Sequence, residues 1–196
     1  MFIRGPHPEP VIWHHFRSGT DGFVFGEREG VYEAQLVPNA DRTVELFLAL
    51  LEHLAPAVDV RLDDWRNGET YEGDALANGD VRDAVARSKH ALATQAGTEV
   101  TVLSAGEQVT LTANLELYVF AQTDRWLYLL QGKGLRRLQR LRKRSWWLQR
   151  GEFGAATGPD SAARLTVERL GLLRVLARGT APEASNGAPA TERPQE

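Results

Sequence analysis

The pattern that most constrains the fold is a strict alternation of apolar and polar residues over positions 109–117. The apolar positions are Val109, Leu111, Ala113, Leu115 and Leu117, and polar residues fill every position between them. Side chains of a β-strand project alternately to the two faces of a sheet. The period of two therefore predicts one strand with a buried face and a hydrated face.

Strand signals on both sides extend this run into a meander. Residues 98–104 precede it across the turn Ala105-Gly106, and residues 125–131 follow it across residues 122–124. Connections this short join antiparallel neighbours, because a parallel pair needs a crossover of a dozen or more residues. The sequence therefore predicts a three-stranded antiparallel meander.

Two hairpins and two helices are predicted before the meander. A glycine-bounded turn at residues 26–30 and an Asn-Gly dipeptide at residues 67–68 each separate two β-prone runs. Apolar residues recur at helical spacing over residues 41–56 and 80–97, which predicts two amphipathic helices. Helices inserted between hairpins indicate an α+β domain over residues 1–131 rather than alternating βαβ units.

The character of the chain changes after residue 131. Residues 134–149 and 161–178 are predicted to be helices, separated by several glycines and a proline. We therefore expect residues 132–178 to form a basic helical hairpin that extends the α+β domain and packs on it. Residues 179–196 are rich in Pro, Ala, Ser, Thr and Glu, which favours a disordered tail. The predicted fold is an antiparallel sheet of hairpins and a meander, flanked by two helices.

The charge of the chain is unevenly distributed, although its net value is only −3. Residues 1–100 carry nine basic and 17 acidic residues, whereas residues 101–150 carry nine basic and three acidic residues. Such asymmetry bears on partners and association rather than on the fold. Residues 133–150, hereafter the basic segment, contain no acidic residue at all.

On a helical wheel the basic segment is amphipathic. A Leu/Trp stripe that includes Trp146 faces the body of the protein, and most of the cations project the opposite way with Trp147 among them. The side chains predicted to contact a partner are Lys133, Arg136, Arg137, Arg140, Lys143, Arg144 and Trp147. An exposed tryptophan among guanidinium groups suits contact with a base, a lipid interface or a protein.

These features favour a non-catalytic accessory or adaptor protein that docks on an acidic protein surface or complex. Nucleic acid is the first alternative, although the sequence pI of about 6.0 is well below that of dedicated nucleic-acid-binding domains. An anionic membrane surface and self-association through acidic and basic faces are further alternatives. The cations also have an internal alternative, because they suit pairing with acidic residues of the same chain.

No constellation in the sequence identifies a reaction. Gly132-Lys133-Gly134 lacks the third glycine and the βαβ context of a dinucleotide-binding loop. Five carboxylates crowd the hairpin around Asn67, but their spacing fits no calcium loop. This acidic cluster consists of Asp63, Asp64, Glu69, Glu72 and Asp74. We therefore predict no catalytic residues, no cofactor and no metal; a general base at His14 or His15 is the enzymatic alternative.

The chain contains no cysteine, which excludes disulfides and thiolate chemistry. No apolar run reaches the roughly 18 residues of a membrane span, and the N-terminal residues do not resemble a signal peptide. These absences lead us to expect a cytoplasmic protein.

Overall fold

The computed structural model describes residues 21–39, 42–141 and 161–175. Its elements in chain order are β1 (Gly22–Arg28), β2 (Val31–Val37), α1 (Thr43–Leu51), β3 (Ala57–Asp64), β4 (Glu69–Ala77), α2 (Asn78–Gln95), β5 (Thr98–Ser104), β6 (Glu107–Leu111), β7 (Leu117–Ala121), α3 (Arg125–Gly132), β8 (Arg136–Arg137), α4 (Ala162–Leu170) and β9 (Leu173–Val175). The protein is α+β, as the sequence predicts.

The nine described strands form one sheet in the order β8-β1-β2-β7-β6-β5-β3-β4-β9. Neighbouring strands are antiparallel, with the exception of β8 and β1, which are parallel. The two predicted hairpins are present as β1-β2 and β3-β4. Both outer strands, β8 and β9, come from the C-terminal part of the chain, and both are short.

The two faces of the sheet differ in polarity because side chains alternate along each strand. One face is apolar and joins α1 and α2 in a single core, in which Phe47, Leu62 and Leu111 are fully buried. On the other face polar residues lie side by side across five strands. That row runs Arg61, Thr101, Thr110, Tyr118 and Gln35.

The junction between the two long helices depends on one side chain. Asn78 is the first residue of α2, and its Nδ2 donates to the carbonyl oxygens of Leu51 at 2.8 Å and Ala55 at 3.2 Å. These carbonyls lie at and beyond the C-terminus of α1, where intrahelical partners run out. Asn78 therefore holds the end of α1 against the start of α2.

The predicted single strand over residues 109–117 is wrong, because the chain reverses within it. Strand β6 ends at Leu111 and β7 begins at Leu117, directly opposite it. The connection is closed by Thr112, whose N–H donates to the Glu116 carbonyl at 2.9 Å and whose Oγ1 accepts from the Glu116 N–H at 3.0 Å. Leu115 takes a positive φ of 59° in this turn. A meander is present, but it consists of β5, β6 and β7.

The polar positions of this run are also not hydrated as predicted. Asn114 and Glu116 are each only 1 % exposed. The Glu116 carboxylate accepts hydrogen bonds from Gln35 Nε2 at 3.1 Å and from the Tyr118 hydroxyl at 3.4 Å. Buried polar groups need such partners, because the transfer of an unpaired group out of water is costly.

Residues 125–131, predicted as the third strand of the meander, instead form helix α3. Trp126 and Leu130 are buried four residues apart, whereas Tyr128 between them is 64 % exposed. A strand would place all three on one face, but a helix separates position 128 from the other two. Aromatic and leucine residues suit either structure, and packing of the i, i+4 pair selects the helix.

The predicted C-terminal helices are replaced in part by strands. Residues 134–141 contain a turn and strand β8 rather than the first half of a helix, and residues 142–149 lie outside the described residues. Helix α4 is present, but it ends at Gly171, which has a φ of 61°. A left-handed glycine after a helix is a common termination. Residues 173–175 then pair with β4 as the edge strand β9.

Candidate functional site

The structure describes four of the seven residues predicted to contact a partner, and all four lie near one edge of the sheet. Lys133 follows α3, Arg136 and Arg137 form β8, and Arg140 comes three residues later. Strand β8 pairs with β1 only, so its other side is an edge of the described sheet. Lys143, Arg144 and Trp147 lie outside the described residues.

Backbone and side-chain contacts hold this segment against β1. The Arg136 N–H donates to the Asp21 carbonyl at 3.0 Å, and Arg42 forms an ion pair with the Asp21 carboxylate at 3.1 Å. Arg42 also donates to the Lys133 carbonyl at 3.2 Å. One arginine thus links the end of α3 to the start of β1, which places the cations that follow at the sheet edge.

A glycine in β1, Gly22, leaves room for a side chain that follows β8. A Cβ atom at Gly22 would lie 2.5 Å from Leu138 Cδ1 and 3.3 Å from the Arg136 carbonyl oxygen. The first distance is far below a van der Waals contact, so any larger residue at position 22 forces Leu138 to move. Gly22 therefore leaves the space that the Leu138 side chain occupies and avoids crowding the Arg136 carbonyl.

Three cations at this edge have no carboxylate within 4 Å among the described residues. We call Lys133, Arg137 and Arg140 the basic edge patch. Arg137 and Arg140 are exposed, and Lys133 is half-buried. Ion pairs are common elsewhere in the described chain, as between Arg61 and Asp63 at 3.0 Å. The patch is therefore unneutralised by the described residues.

The acidic cluster does not supply the missing counter-charge, because four of its five members have local partners and no described contact joins any of them to the patch. Asp63 pairs with Arg61 and accepts from the Thr70 hydroxyl, and Glu72 also lies 3.7 Å from Arg61. Asp64 accepts from the backbone of Arg66 and from Asn67 in the hairpin turn, and Glu69 pairs with Arg174. None of these contacts involves the basic edge patch.

Aromatic side chains that sequence reasoning did not select lie beside the patch. The Arg137 guanidinium lies 6.0 Å from the centre of the Phe25 ring, and Phe25 stacks on Tyr32 at 5.7 Å. A cation over an aromatic face gains modest electrostatic attraction and loses rotational freedom. A shallow groove next to them is lined by Val24, Phe25, Arg137, Leu138 and Gln139. These aromatic residues could not be selected from the sequence, because no local pattern indicates that β1 pairs with the distant strand β8.

The pKa of His53 depends in part on the positive charges of this region. Burial is the main factor that lowers the pKa of His53 from its usual 6.5, and the positive charges of Lys133 and Arg125 lower it further, against opposing effects of Glu52 and Glu107. Its ring packs edge-on against Trp126 of α3, with centroids 6.2 Å apart. Protonation of the imidazole is unfavourable here because burial disfavours the charged form and because the added positive charge lies near two others.

Replacement of Lys133 by Gln is therefore expected to raise the pKa of His53 toward 6.5. The unfolded chain binds a proton more readily than the folded chain between the folded pKa and 6.5, so stability falls as the pH drops through that window. In Lys133→Gln the pH range over which stability falls should be narrower, because the pKa of His53 in the folded chain lies closer to 6.5. Titration of the His53 ring Cε1–H signal by NMR measures the shift. Lys89→Gln is the control, since Lys89 pairs with Glu45; an equal shift in both variants would contradict the assignment.

The described ranges contain neither a candidate metal cluster nor a membrane-spanning helix. No group of three or more His, Asp or Glu side chains there is arranged to hold a metal ion. No helix in these ranges is long and apolar enough to cross a membrane. His14 and His15, the enzymatic alternative, lie outside the described residues.

No protein family model matches the sequence, and no curated protein or solved structure shows significant similarity to it. The charge and geometry of the chain itself are therefore what bear on its function.

Proposed function

We propose that this protein is a non-catalytic accessory or adaptor protein that docks on an acidic surface of a partner protein. The docking surface is the basic edge patch, with the remaining cations of the basic segment adding to its positive charge. One observation carries the proposal: Lys133, Arg137 and Arg140 lack carboxylate partners in the described chain, whereas four of the five residues of the acidic cluster already have local partners. An acidic partner protein would neutralise the patch and complement its charge.

Charge reversal at the patch is expected to abolish this binding. A photo-reactive amino acid at exposed Gln139, between the two arginines, should form a covalent adduct with the bound partner in cells. Mass spectrometry of the adduct should identify a protein segment rich in Asp and Glu. The double variant Arg137→Glu/Arg140→Glu should reduce the adduct at least about tenfold, since loss of close charge pairs across an interface typically costs more than 1.4 kcal/mol.

The matched control is Arg87→Glu/Arg164→Glu, which changes the net charge equally at exposed sites on helices α2 and α4. The ion pair of Arg164 with Glu168 is exposed and contributes little to stability. This control should retain the adduct. A nuclease-sensitive adduct, or tighter binding of duplex DNA than of acidic protein with a steep salt dependence, would assign the patch to nucleic acid instead. An adduct unaffected by the patch variant would also overturn the proposal.

A further inference from the structure

We propose that the acidic segment of the partner binds as an extended peptide, adding one strand to the sheet alongside β8. This inference rests on the proposed function and specifies the ligand of the same surface. Addition of a strand to an exposed sheet edge is a common mode of peptide recognition, in which backbone hydrogen bonds provide affinity and alternating side chains provide specificity.

The backbone of β8 offers hydrogen-bonding groups to an added strand. The Arg136 N–H donates to Asp21 and the Leu138 N–H donates to Phe23, both in or beside β1. In a parallel pair, residues that bond to the neighbouring strand alternate with residues whose N–H and C=O point away. The N–H and C=O of Arg137 therefore point outward, and the Arg137 N–H has no partner among the described residues.

The side chains around β8 would give an added strand its specificity. Arg137 is opposite Phe23 and shares a face of the sheet with Phe25, whereas Leu138 packs over Gly22 on the other face. A peptide strand beside β8 would place alternate residues on these two faces. Acidic residues would meet Arg137, and apolar residues would cover Leu138 and Val24 in the groove, while Arg140, beyond the end of β8, adds positive charge to the same edge. The expected ligand is thus a peptide in which acidic and apolar residues alternate.

Nucleic acid fits this edge less well. Phosphates would satisfy the cations, but a nucleic acid backbone offers no N–H group for the outward carbonyl of Arg137. An acidic peptide can pair with the cations and also bond to both the N–H and the C=O of Arg137. This combination favours a peptide over nucleic acid.

The test uses the full chain and a fluorescent ten-residue peptide of alternating Glu and Val. Two N-methylated derivatives of that peptide are compared, and they are isomers of each other. One carries an N-methyl group on every Glu, and the other carries one on every Val. Their charges are identical, but only one isomer has its methyl groups on the edge that faces β8, because amide groups alternate along a strand. That isomer should bind at least about tenfold more weakly than the parent peptide, and the other should bind within about twofold.

Hydrogen exchange provides a second measurement. The Arg137 amide should exchange more slowly when the parent peptide is bound, since it would then donate to the peptide. Gly22→Val forces the Leu138 side chain to move and crowds the Arg136 carbonyl of β8 without altering any charge, so it should weaken the parent peptide and reduce the difference between the two isomers. A thermal melt of this variant checks that the rest of the sheet remains folded.

The outcomes separate this inference from the function on which it rests. Equal binding of the two isomers, with unchanged exchange at Arg137, would show docking by charge alone and overturn strand addition while leaving the proposed function intact. Binding of the parent peptide that Arg137→Glu/Arg140→Glu does not weaken would overturn both. Discrimination between the isomers together with protection of Arg137 would support both.

Discussion

Asn78→Asp is expected to lower the free energy of unfolding by about 3–5 kcal/mol at pH 7, since an uncompensated buried charge typically costs that much. Asn78 is only 8 % exposed, and its Nδ2 donates to the carbonyls of Leu51 and Ala55. An aspartate replaces this donor with an acceptor that faces two carbonyl oxygens. The Asn78 Oδ1 already lacks a donor in the described structure, so neither carboxylate oxygen would gain a hydrogen bond there. Urea denaturation measures the loss.

The pH dependence of that loss separates charge from the missing hydrogen bonds. Burial beside carbonyl oxygens raises the pKa of the introduced carboxyl, so the folded variant binds a proton more readily than the unfolded one. The loss should therefore shrink as the pH falls from 7 toward about 4, the usual carboxyl pKa. Asn78→Ala is the control: it removes the donor without a charge and should cost about 1–3 kcal/mol, independent of pH. Identical pH profiles for the two variants would contradict this account.

The elements that sequence patterns predicted well are those specified by local signals. The glycine-bounded turn and the Asn-Gly turn each define a hairpin, because few residue types adopt the backbone angles these turns require. The helices Thr43–Leu51 and Asn78–Gln95 follow from apolar periodicity over several turns. In each case the information lies within a short stretch of chain.

The errors occur where a pattern fits two structures and distant contacts select between them. An alternating run over residues 109–117 suits one long strand, but the hydrogen bonds between Thr112 and Glu116 close a turn within it. Every position of the run is buried, so its alternation does not separate a buried face from a hydrated one. Residues 125–131 suit strand or helix, and the buried pair Trp126 and Leu130 decides for the helix.

The sequence predicted the positive charge of the candidate site but not its secondary structure. Counting charges located the basic segment, and four of its predicted contact residues lie together at the edge of the sheet. The sequence predicted a helical surface there, whereas residues 136–137 form a strand parallel to β1. Pairing of β8 with β1 joins residues far apart in the chain, so no local periodicity reveals it. The contributions of Gly22 and Phe25 depend on that pairing and were missed for the same reason.

Trp126→Ala is expected to lower the free energy of unfolding by about 3–5 kcal/mol, the usual cost of truncating a buried large aromatic residue. Trp126 is fully buried in the core, packs against His53, and donates from Nε1 to Glu107 at 3.1 Å. Truncation leaves a cavity and removes one of the donors to that carboxylate. Because α3 leads directly into the chain that forms β8, the Arg136 and Leu138 amides should also exchange faster with solvent.

Tyr128→Ala is the matched control, since Tyr128 lies on the same helix but is 64 % exposed. Its loss should stay within about 0.5 kcal/mol, as is usual for surface substitutions. The contrast between the two variants follows from the helix, because a strand over residues 125–131 would bury both side chains on one face. Similar losses for Trp126→Ala and Tyr128→Ala in urea denaturation would therefore contradict this packing of α3.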